Sequence, residues 1–440
     1  MNPKDLLAGA VRAHEAGRLR DAAQLYRQVL SMDPGSADAA SNLGLVTAQM
    51  GDFATAESVL RELLGRNPRH SGAHGNLALI LQQQKKFGEA IASCEDGLKA
   101  AGDNRSRQRL QNTLALSLIG ARRYDDALEL LGRMVASHPG FAGGHNLMGT
   151  TLTHMGRVDE AVRAFTQATK LDPKDYGSFV AAGECLLVHG RPEESLSMLD
   201  KALKVRPWEV RALSLRTLAL AGLGRKDDEA WLSDPQRLVH CHRLADLGYT
   251  QERVDALNRE LSAFASTEPS LREDPPEYAT HKAWHSTTNL AAYANPALDE
   301  LKRFVDHAFQ ERKKTLLESG AEHPFVRAAP PRYYLDMWAI KMKDGGNLYP
   351  HIHVDGWLSG VYYVDVPAVV NDPRASGAGW LKIGTSRLDI KLEREPLTRA
   401  VKPEPGMMVT FPSYFWHDTV PLPANNAEQR LCLAFDLNPA

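Results

Sequence analysis

Cysteine is scarce and scattered in this chain. The four residues Cys94, Cys185, Cys241 and Cys432 show no close pairing and no CxxC, which argues against a disulfide framework and points to thiols in a reducing cytoplasm. Long apolar runs are missing as well: no stretch reaches the ~18–20 residues of a membrane helix. The opening segment MNPKDLLAGAVRAHEAGRLR lacks an apolar signal core and reads as an amphipathic helix. No membrane partner is expected. Net charge is nearly absent, −2 from 52 basic and 54 acidic residues, so there is no overall basic field for nucleic acid. The least even absence is tryptophan. None of the seven occurs before Trp208, and only seven of 25 prolines lie in residues 1–207. With 440 residues available for two or three domains, the two halves are expected to follow different structural plans.

The first half repeats itself. Asp33-Pro34, Asn67-Pro68, His138-Pro139, Asp172-Pro173 and Arg206-Pro207 are separated by 34, 71, 34 and 34 residues. The interval of 71 is two repeats plus three residues inserted near Ala100–Arg105. Gly17, Gly51, Gly156, Gly190 and Gly224 form a second column, and Ala22, Ala56, Ala90, Ala127, Ala161 and Ser195 a third, small one. Within a unit, apolar residues recur at three- and four-residue spacing in two segments. Gly closes the first helix and Pro opens the turn to the next unit. Residues 3 to about 225 resemble tetratricopeptide repeats. The resemblance implies an α-solenoid of helix-turn-helix units over residues 1–225, with a concave face that takes a protein or peptide.

Residues 226–330 read as a helical connector with helices flanking the following domain. Helical spacing persists through 234–266, a polar, Pro-rich segment follows, and Leu298, Leu301, Phe304, Val305 and Phe309 form one stripe of a further helix. In a helical stretch, His240 and His242 would point to different faces and cannot pair on a metal. His281 and His285 read as loop residues, structural or close to substrate rather than ligands.

Residues 331–440 change to β texture, with alternating segments such as RYYLDMWAIKMK and LSGVYYVDVP broken by Gly and Pro. Short strands without intervening helices predict a double-sheet jelly roll, the double-stranded β-helix of cupin-like folds. On a strand, His351, His353 and Asp355 share one side. His417 follows a later strand and turn, and Arg430 opens the last strand with Cys432 and Ala434 on its face. A buried guanidinium needs an anionic partner. Two His and a carboxylate suit Fe(II) with open positions for cosubstrate and O₂, and an Arg fork suits the distal carboxylate of 2-oxoglutarate. Trp357 and Trp416 read as packing residues.

The motifs H-x-H-x-x-G-W-L-S-G-V-Y-Y-V (351–364) and P-G-x-x-V-x-F-P-S (405–413), with His417, Pro421 and Arg430, make residues 275–440 similar to the 2-oxoglutarate/Fe(II) oxygenases that follow tetratricopeptide repeats. The resemblance implies a hydroxylase that uses Fe(II), 2-oxoglutarate and O₂ on a recruited protein or peptide. Two ligand sets remain open, His353/Asp355/His417 and His351/His353/His417. Cys432 stands where that group often has a hydroxyl, so Tyr362 or Ser359 is expected to help bind the cosubstrate. A small-molecule substrate, or a repeat adaptor with a non-catalytic β-domain, are the alternative readings.

Overall fold

The computed structural model describes residues 2–275, 278–317, 322–386, 390, 392 and 394–440. They form two compact units, residues 1–173 and 174–440. The first unit is a run of helix pairs: Pro3–Glu15 with Leu19–Met32, Ala37–Gln49 with Phe53–Arg66, Ser71–Gln83 with Phe87–Ala100, Asn104–Gly120 with Tyr124–Ser137, and Ala142–His154 with Val158–Leu171. The small column explains the pairing. Ala22, Ala56, Ala90, Ala127 and Ala161 are all fully buried, so the helices meet with little side chain between them. Some sites tolerate even less: a Cβ at Gly149 would lie 2.6 Å from the Phe165 ring.

The turn between paired helices is left-handed, at Gly17, Gly51 and Gly156 with φ of 71°, 84° and 70°. Where the Gly column is interrupted, Lys85 and Arg122 take the same conformation at φ of 59° and 60°. Tertiary packing thus holds two ordinary residues in a region glycine adopts without penalty. Asn104–Gly120 runs to 17 residues, against 13 in Ala37–Gln49, by taking the three inserted residues and one from the preceding turn. Asp103 caps that extra turn by accepting from the Ser106 N–H at 2.8 Å.

The second unit opens with the pairs Tyr176–Val188/Pro192–Val205 and Val210–Gly222/Lys226–Ser233. Its described residues then build ten strands: β1 His240–Arg243, β2 Leu271–Glu273, β3 Thr280–Ser286, β4 Tyr333–Leu348, β5 Leu358–Asp365, β6 Leu381–Ile383, β7 Arg399–Val401, β8 Met407–Pro412, β9 His417–Thr419 and β10 Arg430–Pro439. Seven strands form one antiparallel sheet in the order β1-β8-β5-β10-β4-β3-β2, and three form a second, β7-β6-β9. The helices Gln251–Ser266 and Pro296–Leu317 bury Val254, Leu257 and Leu261, and the expected stripe Leu298, Leu301, Phe304, Val305 and Phe309. Among the described residues no helix is long and apolar enough to cross a membrane.

Three expectations change. The compact units divide at 173/174 rather than at 225, because the later helix pairs share a core with the sheets: Leu213, Leu218 and Leu232 belong to the cluster that contains Trp357, Leu358 and Tyr414. Trp208 joins them, with its ring centroid 6.0 Å from Phe325 and 5.7 Å from Tyr414. The stretch 226–330 is not purely helical, since it supplies β1, β2 and β3. β1 exists because it pairs with β8, His240 opposite Thr410 through Arg243 opposite Met407, a non-local ladder that overrides local helical spacing. Strand alternation therefore puts His240 and His242 on one side, ring centroids 6.3 Å apart, and His281 and His285 lie on β3 rather than in a loop.

Trp357 anchors the second unit. It is fully buried, stacks on Phe325 at 4.5 Å, meets Phe309 edge-on at 5.8 Å and donates its Nε1–H to the Phe325 carbonyl at 2.9 Å. Trp357→Ala is expected to destabilise this unit by about 3–5 kcal/mol, read as a lower urea midpoint; an unchanged midpoint would contradict this packing role.

Candidate metal centre

The site lies between the two sheets, where strand alternation aims side chains inward. On β9, His417 and Thr419 share a face. On β10, the period of two aligns Arg430, Cys432, Ala434 and Asp436. His351 forms an isolated bridge with His417, each backbone N–H donating to the other's carbonyl at 3.1 Å. The His353 N–H donates to the Ser413 carbonyl at 3.2 Å. These backbone bonds bring three imidazoles together, with ring centroids 4.1 Å (351–417), 5.0 Å (353–417) and 5.1 Å (351–353) apart. One ring nitrogen of each lies within 4.8 Å of the others.

Their hydrogen bonds assign the tautomer. Nδ1 of His351 faces the Tyr349 carbonyl at 2.8 Å, Nδ1 of His417 the Phe415 carbonyl at 3.0 Å, and Nδ1 of His353 the Asp436 carboxylate at 2.7 Å. Oxygens of this kind accept, so each ring donates from Nδ1 and keeps the Nε2 lone pair free. The buried Nε2 of His353 has no hydrogen-bond partner among the described residues. Burial, reinforced by the neighbouring His353, pushes His351 down to about 3. Burial, with His351 and His353 beside it, holds His417 well below the ordinary histidine range. Both rings are thus kept in the neutral form that binds a metal.

Across the same cavity lies Arg430, 1% exposed. Its Nε–H donates to the Gly379 carbonyl at 3.0 Å, and the guanidinium rests against Cys432 Sγ at 3.5 Å and over the Tyr363 ring at 5.0 Å. Among the described residues no carboxylate forms an ion pair with it. The Thr419 hydroxyl, also buried and lining the cavity, has no hydrogen-bond partner among the described residues. Trp338, Ile340, Leu348, Leu381 and Phe411 make the remaining walls largely apolar.

Of the residues expected from sequence, His351, His353, His417, Arg430 and Ser359 line this one cavity. Asp355 does not. The chain leaves its extended path after His353 and turns at Val354 and Asp355, leaving both exposed. Gly356 follows where a Cβ would meet the Ser413 hydroxyl at 2.5 Å. Tyr362 is also excluded: alternation on β5 aims it at the covering helices, where its hydroxyl donates to Asn258 Oδ1 at 2.7 Å and its ring meets Phe304. The Ser359 hydroxyl is engaged with Ser413 Oγ at 2.9 Å and Asp436 Oδ1 at 2.7 Å. Trp357 is core, as expected. Asp436 and Thr419 were not anticipated, although extending the period of two from Arg430 and from His417 reaches both. His285 is buried on β3 and separated from His353 by one ring, the indole of Trp338, at 5.8 and 5.5 Å.

Residues 336–436 match the family described as "Putative 2OG-Fe(II) oxygenase", and residues 7–49, 47–115 and 118–182 match tetratricopeptide repeat families. The chain therefore joins an N-terminal repeat solenoid to a sheet-rich domain of that oxygenase family. Among solved structures, it is similar to YrrB, a tetratricopeptide protein with an unusual peptide-binding site (22% identity over 44% of this chain and 100% of that one, TM-score 0.35). A tetratricopeptide repeat protein from Parabacteroides merdae is 15% identical over 57% of this chain and 94% of that one, TM-score 0.44. The type IV pilus biogenesis factor PilW is 13% identical over 48% and 97%, TM-score 0.45. No curated protein matches the chain.

Burial also lowers His285 to about 4 from its ordinary 6.5. The folded state favours the neutral ring, so below about pH 6.5 the unfolded chain takes up the proton first. Stability of the metal-free protein is expected to fall between about pH 6.5 and 4, by roughly 1 kcal/mol per pH unit for this ring. Thermal melts across that range should show a shallower decline for His285→Gln than for wild type; parallel declines would rule His285 out as a contributor.

Proposed function

We propose that this chain is an Fe(II)- and 2-oxoglutarate-dependent dioxygenase, a hydroxylase acting on a protein or peptide held by the concave face of its repeat array. The observation that carries the reading is one cavity with three imidazoles whose Nδ1 atoms are tied outward and, beside them, a buried Arg430 with no carboxylate partner among the described residues. The residues fit the groups the family implies. His351, His353 and His417 would hold the metal, with His351 in the place that Asp355 leaves empty. Arg430, with the free Thr419 hydroxyl, would take the distal carboxylate of 2-oxoglutarate by charge-assisted hydrogen bonds.

The iron, with 2-oxoglutarate and O₂ bound, supplies the oxidation of a C–H bond. The chain's contribution is positional. The His351–His417 bridge sets the spacing of two ligands, Arg430 orients the cosubstrate, and the apolar walls exclude water from the reacting groups. The tetratricopeptide repeats support a recruited polypeptide as substrate, because a solenoid offers an extended groove. The four scattered cysteines, with no close pair and no CxxC, support a reducing, cytoplasmic setting.

Purified protein supplied with Fe(II), 2-oxoglutarate and O₂ is expected to form succinate. His417→Ala should abolish it, and Arg430→Ala should raise the KM for 2-oxoglutarate about tenfold or more. Asp355→Ala should leave turnover near wild type. Succinate formation that survives His417→Ala sinks the proposal. For the substrate, a polypeptide captured by the His417→Ala protein should become heavier by one oxygen atom when treated with the active enzyme.

A further inference from the structure

A metal-ligating imidazole is oriented and made more basic by what its second nitrogen meets. Here the three rings are not equivalent. His351 and His417 donate to neutral backbone carbonyls, whereas His353 donates to a carboxylate. Asp436 and His353 each keep only 13% of their side chains exposed, at an Nδ1–Oδ2 distance of 2.7 Å. Among the described residues no Lys or Arg pairs with Asp436. Its other oxygen, Oδ1, accepts from Ser359 Oγ at 2.7 Å, and that hydroxyl lies 2.9 Å from Ser413 Oγ. Ser413 in turn holds the His353 backbone through its carbonyl. The His353 ring is fixed by this carboxylate on its edge and by Trp338 stacked 5.5 Å away on its face.

We propose that Asp436 is the carboxylate of this centre, acting from behind His353 as a positioning residue instead of entering the coordination sphere. The inference rests on the metal-binding reading above. Three neutral nitrogens bring no negative charge to a divalent ion, and the buried carboxylate supplies it through the imidazole. It also holds the proton on Nδ1, leaving Nε2 free. An Asn at this position can serve the ring in only two ways. If its oxygen stays with Ser359, its NH₂ faces Nδ1 and favours the tautomer with Nε2 protonated, which cannot ligate. If the amide is reversed, the tautomer survives but the charge is gone. Either orientation weakens the metal.

The test is anaerobic titration of the metal-free protein with Co(II), followed by the visible absorption of the bound ion, which reads ligand field as well as affinity. Asp436→Asn is expected to bind Co(II) about 10–100-fold more weakly than wild type, with a shifted band. Asp355→Asn should match wild type. Ser359→Ala, which leaves the charge but frees the carboxylate, should give a smaller loss in the same direction and serves if Asp436→Asn does not fold. Long-range ¹H–¹⁵N correlation on the metal-free wild type should show His353 protonated at Nδ1. Wild-type affinity and spectrum in Asp436→Asn, or in Ser359→Ala where the former does not fold, overturn the inference while leaving the three-histidine site intact. A wild type that binds no Co(II) overturns the metal-site reading itself, and this inference with it.

Discussion

Strand β10 is the element on which the site depends. It lies between β4 and β5, paired with β4 from Arg430–Met342 to Pro439–Tyr333 and with β5 from Leu431–Asp365 to Leu437–Leu358. With both edges occupied, its register cannot slip, because a one-residue shift would turn every inward side chain outward. The same face then carries a buried cation at Arg430 and a partly buried carboxylate at Asp436. Their separation along the strand prevents mutual neutralisation. Asp436 meets His353, whereas Arg430 faces the cavity with no carboxylate pairing it among the described residues. A buried charge held without a protein partner is expensive, which makes Arg430 a more specific signal of a ligand than the shape of the cavity.

The two sheets supply complementary parts of this arrangement. β10 and β5 provide the charged groups and the serine that supports them. β9, in the smaller sheet, provides His417, and its backbone bridge to His351 ties the ligand loop across the cavity mouth. Burial keeps the His351 and His417 rings neutral, so a free nitrogen lone pair on each follows from the same packing that forms the core.

The repeat unit obeys a simpler constraint. Close helix approach requires small residues at one position per unit, and Ala at that position in unit after unit satisfies it. The left-handed turn is less dependent on residue type: Lys85 and Arg122 adopt it where glycine is missing. The packing around a turn can thus impose a conformation that its own residue disfavours.

This difference marks what was legible in advance. Periodic features were visible in one dimension: the 34-residue columns, the amphipathic stripe Leu298–Phe309, the change to β texture after residue 331, and the order His351, His353, His417, Arg430. Periodicity also predicted Asp355 wrongly, since it assumes a strand that continues, and the chain turns after His353. The partner of His353 lies on a strand 83 residues away in sequence, so Asp436 carried no local mark beyond its alternation from Arg430, as Thr419 carried none beyond its alternation from His417. β1 was hidden for the same reason, as four residues become a strand only by hydrogen bonding to β8. By itself the amino-acid sequence determined the two structural plans and most of the side chains that meet in the cavity, because each rests on short-range periodicity and residue chemistry. Only the tertiary structure decided which carboxylate meets His353 and which face Tyr362 presents, because both follow from pairing between distant strands.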